Sequence, residues 1–302
     1  MSIDSLNQKF AIKNVLTFRT SAEGAIIADI DNAFSTASIS LSGGHVMSWK
    51  PKDQAQPVVW LSEQAKVAPG KSIRGGVPIC WPWFGAHASE ASFPGHGHAR
   101  TTPWSITASS TLPGGETRVE LQMNVDEKSK TFWPHNTPLS LNVTIGKRLQ
   151  ISLTTRNDTA QPVTITEALH TYFQISDIDG VSVSGLENCD YFDKVEDFAK
   201  KKQQGEIRFA GETDRVYVNT KTTCVIHDAA LKRRIHIGKS SSASTVVWTP
   251  WTEKAEKMGD MGANQGWRKM LCVESANAME NAVSIAPGAS HSLTVDYWVE
   301  AI

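Results

Sequence analysis

Two segments of this sequence place an acid–base residue next to an apolar run. His170 lies in the segment Glu167–Phe173, where the pattern predicts a mostly apolar strand and a buried imidazole must find polar partners. Glu274 directly follows the apolar run Leu271–Val273, where a carboxylate is often held at the rim of a sheet. A carboxylate and an imidazolium can act together as general base and general acid. Taken singly, each residue would more often be structural.

A third segment, residues 69–104, is rich in glycine and proline and does not alternate like a strand. With Trp81 and Trp83 it suits a concave site built from loops on a rigid sheet, and a structural loop plugged by aromatic rings is the alternative. Aromatic faces suit sugars. Arg74 and Arg100 lie towards the ends of this segment, and a guanidinium suits a phosphate or carboxylate. For each arginine, an ordinary salt bridge is the alternative.

His96 and His98 invite a metal-site interpretation, because side chains two residues apart share one face of a strand. A metal site needs three or four ligands, and no second cluster lies nearby in the sequence. The sequence therefore predicts no metal. One of the two histidines is expected to line a polar pocket instead.

The elements that must position these residues are mainly strands. Apolar residues alternate with polar ones through several segments, and turn sequences separate them. Helical patterning is scarce, and Thr252–Met258 is the best candidate. The pattern predicts an all-β protein, a large antiparallel β-sandwich with few short helices. No linker or repeat divides the chain, which favours a single domain over residues 1–302. The strands are predicted at Thr117–Val125, Leu139–Ile145, Leu149–Leu153 and Leu293–Val299, with shorter ones at Ala25–Ile30, Val163–Ile165, Arg215–Val218, Thr222–Ile226, Ile235–Ile237, Thr245–Trp248 and Met270–Val273.

Composition excludes several classes of protein. The 302 residues include 30 Lys+Arg and 31 Asp+Glu, and this balance argues against a nucleic-acid or anionic-membrane protein. Four scattered cysteines favour reduced thiols, and neither a signal peptide nor an apolar span of 18 residues is visible. We therefore expect a cytoplasmic protein, with a monomer favoured.

The sequence contains ten tryptophans, and this number requires an explanation, because the indole N–H needs a hydrogen-bond partner when it is buried.

Taken in order, six motifs resemble the glucose-6-phosphate 1-epimerases, hexose-6-phosphate mutarotases that are related to aldose 1-epimerase. The resemblance extends from about Leu41 to Trp298. Three departures concern fine sugar specificity: Thr249 where the family often has Asn, Ser275-Ala276 where it often has Pro-Gly, and Gly95, which offers no side chain. The motifs are Arg74–Gly85, His96–Arg100, Leu169–Phe173, Asp214–Tyr217, Trp248–Trp251 and Cys272–Glu274.

The resemblance implies a galactose-mutarotase-like β-supersandwich, in agreement with the all-β prediction. It implies His170 as general acid and Glu274 as general base, with a small sugar phosphate as the partner and no cofactor. Trp81, Trp83, Trp248 and Trp251 become candidate walls or supports of the sugar pocket. Four residues are expected to bind substrate: Arg74 and Arg100 at the 6-phosphate, Asp214 through its carboxylate, and His96.

The implied reaction opens the sugar ring and closes it as the other anomer, and it needs an acid as well as a base. Because free histidine has a pKa of about 6.5, a neighbouring carboxylate that raised the pKa of His170 would favour the acid form. Asp214 or Glu274 is the expected neighbour, since Glu167 would lie on the opposite face of a straight strand. The alternatives are an aldose 1-epimerase acting on unphosphorylated hexose and a non-catalytic carbohydrate-binding sandwich.

Overall fold

The structure is a computed structural model that describes residues 1–262 and 265–302. Over these ranges most of the regular structure is strand, and the helices are short. The α-helices are α1 (Ile3–Phe10), α2 (Glu127–Phe132) and α3 (Trp251–Met258). The strands are β1 (Leu16–Thr20), β2 (Ile26–Asp31), β3 (Ser35–Ser40), β4 (His45–Pro51), β5 (Ile79–Cys80), β6 (Trp104–Thr111), β7 (Thr117–Met123), β8 (Leu139–Ile145), β9 (Leu149–Arg156), β10 (Val163–Ile165), β11 (Glu167–Leu169), β12 (Tyr172–Gln174), β13 (Val181–Ser184), β14 (Asp190–Asp193), β15 (Ala199–Lys202), β16 (Thr213–Val218), β17 (Cys224–Asp228), β18 (Arg233–Ser240), β19 (Ser244–Thr249), β20 (Met270–Asn277), β21 (Val283–Ile285) and β22 (Ser290–Ala301).

Two large antiparallel sheets dominate the fold. In one, which we call the site sheet, the strand order is β15-β14-β16-β19-β20-β11-β5, and β12 also pairs with β20. The other, the back sheet, has the order β13-β17-β18-β22-β9-β8-β7-β6. A smaller sheet, β1 to β4, and the β10–β21 pair complete the arrangement over the described ranges. The predicted large antiparallel β-sandwich is therefore confirmed.

The core follows from strand alternation, because successive side chains point to opposite faces of a sheet. In the site sheet Val247 and Val273 lie in the same apolar cluster as Val143 and Leu293 of the back sheet. Their neighbours point the other way: Val246 belongs to a separate cluster of small residues on the outer face. The side chains on the inner face of the site sheet are thus buried in the core, and only the outer face can contribute residues to a site.

The sequence located most strands but misplaced some ends, and β8 matches its predicted range. The expectation that Glu274 follows a strand is wrong, because β20 continues to Asn277 and every residue in it is buried. The expectation that His170 lies within a strand is also wrong. It lies between β11 and β12, where its backbone N–H donates to the carbonyl of Pro78 at 3.0 Å.

The helices occupy the edges of the fold. The predicted helix is α3, which begins one residue earlier than expected. α1 and α2 were not predicted, although Ser2 and Asp126 cap them through side-chain oxygens, as such residues commonly do. Within the described residues, no helix has both the length and the apolar character needed to cross a membrane.

Candidate active site

A cavity of about 420 Å³ lies over the outer face of the site sheet. This volume falls within the range of about 300–1,000 Å³ that is usual for small-molecule sites. Apolar walls come from Phe84, Val246 and Trp248, and the floor carries charged and polar groups. All six residues that the sequence singled out line this cavity: Arg74, His96, Arg100, His170, Asp214 and Glu274.

Glu274 and His170 face each other at the base of the cavity, with 3.3 Å between Glu274 Oε1 and His170 Nε2. Glu274 is only 1% exposed, and its second oxygen has no hydrogen-bond partner among the described residues. The imidazole of His170 stacks on Tyr172, with the ring centroids 5.0 Å apart, and Trp248 meets it edge-on at 5.9 Å. These rings fix the plane of the imidazole and leave the carboxylate–imidazole pair directed at the cavity.

Burial and neighbouring charges push the pKa values of this pair in opposite directions. Burial, together with the nearby carboxylate of Asp214, raises the pKa of Glu274 well above its ordinary value. Burial, then His96, Arg100 and Arg74, lowers the pKa of His170 well below its ordinary value. The sequence placed a carboxylate beside His170, as the structure does, but the expected increase in the pKa of His170 is not found. Burial is the largest cause of the decrease.

His96 reaches the cavity through an unusual backbone conformation, with φ at +65°. The next residue, Gly97, has φ at +70°, and a β-carbon there would lie 1.9 Å from the carbonyl oxygen of Trp81, so only glycine fits. The Gly85 N–H donates to Nδ1 of His96 at 3.3 Å, which leaves the proton of the neutral ring on Nε2. Burial, with Arg100 and Lys194, lowers the pKa of His96 to about 3, so the ring is neutral.

The two predicted arginines differ in their partners. Arg74 donates from Nε to Asp260 and from Nη1 to the hydroxyl of Tyr172, each at 3.0 Å. Arg100 donates to the carbonyl of Gly95 at 2.9 Å and makes no ion pair with any carboxylate among the described residues. Of the four cations that line the cavity among the described residues, Arg74, Lys194 and Lys254 pair with a carboxylate, and Arg100 does not.

Asp214 forms an ion pair that the sequence did not predict. Its Oδ2 lies 2.9 Å from Nζ of Lys194, which also lines the cavity. Lys194 opens the 3-10 helix Lys194–Glu196 directly after β14, whereas Asp214 lies on β16. No motif distinguishes Lys194 from other lysines at the end of a strand, so only the pairing of β14 with β16 shows its position.

The four tryptophans that were predicted to wall or support the pocket lie in different environments. Trp248 lines the cavity. Trp81 is a core residue whose indole N–H donates to Thr155 at 3.0 Å, and Trp83 donates to the carbonyl of Pro94. Trp251 packs on Trp267, with 5.3 Å between the ring centroids. Of the four tryptophans proposed for the pocket, Trp248 alone lines the cavity.

His98 lies away from the cavity, whereas His96 lines it. His98 is 3% exposed, and its Nδ1 lies 3.2 Å from the hydroxyl of Thr102. It contacts the rings of Trp81 and Phe132.

Sequence reasoning missed Tyr172 as a lining residue, although it is part of the motif that contains His170.

One group in the described part of the chain has the residue types of a metal site. Side-chain ligand atoms of His170, Cys272 and Glu274 lie within 4.8 Å of one another. Burial, followed by the charge of Glu274, raises the pKa of the Cys272 thiol well above its ordinary value. The thiolate is the form that binds metals, so a metal bound here would have to displace the proton of this buried thiol.

Comparisons with known proteins agree on one family. Residues 27–298 match the family model described as aldose 1-epimerase. A protein of Escherichia coli K12, provisionally named a glucose-6-phosphate 1-epimerase, is 38% identical over 252 residues, which cover 83% of each chain. A plant protein of the same provisional name, from Cenchrus ciliaris, is 38% identical over 261 residues, which cover 83% of this chain and 78% of its own.

A solved structure agrees with this relationship. The crystal structure of YeaD, a provisionally assigned mutarotase from Salmonella typhimurium, superposes with a TM-score of 0.89 at 31% identity. The superposition covers 99% of both chains. The chain belongs to the aldose 1-epimerase family.

Proposed function

We propose that this protein interconverts the α and β anomers of a hexose 6-phosphate, with glucose 6-phosphate as the first candidate substrate. Glu274 is the general base, His170 is the general acid, and Arg100 is the main ligand of the phosphate. The observation that carries the proposal is the buried Glu274–His170 pair, which shares its cavity with an arginine that lacks a carboxylate partner. The names of the relatives in Escherichia coli and Cenchrus ciliaris point to the same substrate.

The reaction needs two proton transfers at neighbouring oxygens. Glu274 takes the proton of the anomeric hydroxyl while His170 gives a proton to the ring oxygen. The bond between C1 and the ring oxygen breaks with its electron pair going to that oxygen, and C1 becomes an aldehyde. Rotation about C1–C2 and the reverse transfers then close the other anomer. Both oxygens are bonded to C1, so a base and an acid held 3.3 Å apart suit this step.

The shifted pKa values make both groups more reactive. A carboxylate whose pKa is raised is a stronger base, and an imidazolium whose pKa is lowered is a stronger acid. As a consequence, a smaller fraction of the protein molecules has Glu274 ionised and His170 protonated at the same time. A bound phosphate dianion would counter the field of Arg100 and Arg74 that disfavours the imidazolium, which gives a phosphorylated sugar an advantage beyond binding.

The other lining residues hold the sugar. Neutral His96 keeps an N–H on Nε2 that can donate to a sugar oxygen. The carboxylate of Asp214 can accept from a hydroxyl, and the ring of Trp248 gives an apolar face to the C–H groups of the sugar. Arg74, which is held by Asp260 and Tyr172, is proposed as a second ligand of the phosphate.

Anomer exchange measured by NMR tests the proposal with wild-type protein, α-glucose 6-phosphate and α-glucose. We expect faster exchange of the phosphorylated sugar. Arg100→Ala should raise KM for glucose 6-phosphate by roughly ten- to a hundredfold, the loss expected for a charge-assisted contact of about 1.5–3 kcal/mol, and should affect glucose little. Arg148→Ala is the matched control, because Arg148 pairs with Asp296 and does not line the cavity.

Other outcomes would support the alternative functions. Equal losses for glucose and its 6-phosphate in Arg100→Ala would favour an epimerase of unphosphorylated hexoses. Exchange no faster than in buffer, together with saturable sugar binding, would favour a non-catalytic carbohydrate-binding protein.

A further inference from the structure

Lys194 is held rigidly above the base of the cavity, and the proposed roles do not account for it. Its Nζ lies 2.9 Å from Oδ2 of Asp214 and 5.9 Å from the centre of the Phe84 ring. The preceding residue, Asp193, fixes the turn by accepting the N–H of Val195 at 3.2 Å, and it pairs with Lys201 at 3.3 Å. With 27% of its side chain exposed, Lys194 is better fixed than a typical surface lysine.

The charged groups around Glu274 indicate how Lys194 can influence the ionisation of this carboxylate. Groups on four other segments face its carboxylate from the cavity side: His170, Asp214, Lys194 and Arg100. The remaining titratable groups whose charges interact with it are thiols and phenols: Cys80, Cys272, Tyr172 and Tyr297. Asp214 is the other carboxylate close to Glu274, and Lys194 is its ion-pair partner.

We propose that Lys194 is a positioning residue that neutralises Asp214 and thereby favours the ionised form of Glu274, which acts as the base. The inference rests on the proposed function of the same site. It assigns to Lys194 a role in catalysis that is separate from phosphate binding, because the lysine acts on the base through the carboxylate that it holds.

The physical reason is electrostatic. Two carboxylates in one buried site resist simultaneous ionisation, so Asp214 alone would favour protonated Glu274. The charge of Lys194 opposes this effect and lowers the pKa of Glu274, although burial and Asp214 still leave that pKa raised. Removing the ammonium leaves Asp214 uncompensated, and Glu274 then holds its proton more tightly.

The test is the pH profile of kcat/KM for glucose 6-phosphate in Lys194→Met. Loss of this positive charge favours protonated Glu274, so the limb of the bell-shaped profile that reports Glu274 should move to higher pH by on the order of one unit. Lys194→Arg, which keeps the charge, should restore the wild-type position. In Lys194→Met/Asp214→Asn both charges are gone, and the profile should return towards the wild-type position.

Lys254 provides the matched control. It also lines the cavity and pairs with a carboxylate, Glu212, at 2.6 Å. Its charge is not among those that shift the pKa of Glu274. Lys254→Met should therefore leave the position of the profile unchanged, whatever it does to KM.

A second measurement covers variants with little turnover. The side-chain carboxyl of Glu274, labelled with ¹³C and assigned by comparison with Glu274→Gln, should titrate at higher pH in Lys194→Met than in wild type. If wild-type protein exchanges anomers but neither the profile nor this titration moves in Lys194→Met, the role of Lys194 is overturned and the proposed function stands. If wild-type protein shows no exchange, the proposed function fails, and the carboxyl titration alone decides whether Lys194 controls the charge of Glu274.

Discussion

In the described part of the chain, a glutamate–histidine pair lies on each face of the paired strands β11 and β20. On the outer face Glu274 meets His170 at 3.3 Å beneath the cavity. On the inner face Glu167 meets His291 of the back sheet at 2.8 Å. Both glutamates are fully or almost fully buried, at 1% and 0% exposed. The two pairs consist of the same residue types, and their glutamates lie on neighbouring strands, but they have different surroundings.

The inner pair is completed by an amide. Asn277 donates to Oε1 of Glu167 at 3.0 Å, so that oxygen accepts from two groups. Among the described residues the outer pair has no such third member: the charged groups beside it are the carboxylate of Asp214 and the cations Lys194 and Arg100. Two partners hold one oxygen of Glu167 and so link the two sheets, although its Oε2, like Oε2 of Glu274, has no hydrogen-bond partner among the described residues. Charged neighbours and an open cavity surround Glu274 instead, and this setting suits proton exchange.

The largest expected effect contrasts the two glutamates. Glu274→Gln removes the proposed base and should lower kcat for anomer exchange by at least about a hundredfold, in line with general acid–base catalysis. Glu167→Gln makes the same chemical change on the other face and should leave kcat within about threefold. NMR exchange rates at saturating glucose 6-phosphate provide the measurement. Equal losses in the two variants would contradict the assignment of the outer pair as the reactive one.

The next effect concerns stability. His291→Ala leaves the buried Glu167 with Asn277 as its remaining partner and should lower the free energy of unfolding by about 2 kcal/mol. His170→Ala should lower the free energy of unfolding by less, because Glu274, which loses its partner in this variant, faces a cavity that water can enter. Urea unfolding followed by tryptophan fluorescence compares the two variants. A larger loss in His170→Ala would show that the outer pair also supports the fold.

The smallest effect is a titration shift in the substrate-free protein. Arg100 lowers the pKa of His170, so Arg100→Gln should raise that pKa by a fraction of a unit, because the imidazolium is then less repelled. The ring nitrogens of ¹⁵N-labelled histidines report this change by NMR. His291 is the internal control, since it lies on the inner face, and its resonances should not respond to the substitution. An unchanged titration of His170 would show that the charge of Arg100 does not reach the outer pair.

The comparison also shows how far sequence reasoning could go. Alternation within a strand predicted that Glu167 and His170 would lie on opposite faces, and Glu167 indeed pairs with His291 on the inner face. Nothing in the sequence predicted that partner, because His291 lies 124 residues further along the chain. The extent of β20 was underestimated for a related reason, since the polar residue Glu274 looked like the end of a strand when it was read without its neighbours.

The site was only partly predictable. The motifs supplied six residues that line one cavity, whereas Lys194 and the ion pair of Arg74 with Asp260 depend on contacts between distant segments. The tryptophans show the same limit. Their number was visible in the sequence, but whether an indole supports the core, as Trp81 does, or lines the cavity, as Trp248 does, depends on loop geometry.

By itself the sequence determined the class of fold and the residue types of the acid–base pair, because both follow from local patterns: alternation along strands and motifs around single residues. The tertiary structure alone distinguished the carboxylate that is proposed as the base. Protonation depends on burial and on every charge within a few ångströms, and those charges come from strands and loops that are far apart in the chain. Glu274 lies on β20 and Glu167 on the paired strand β11, and their partners across the fold make one the proposed base and the other a link between the sheets.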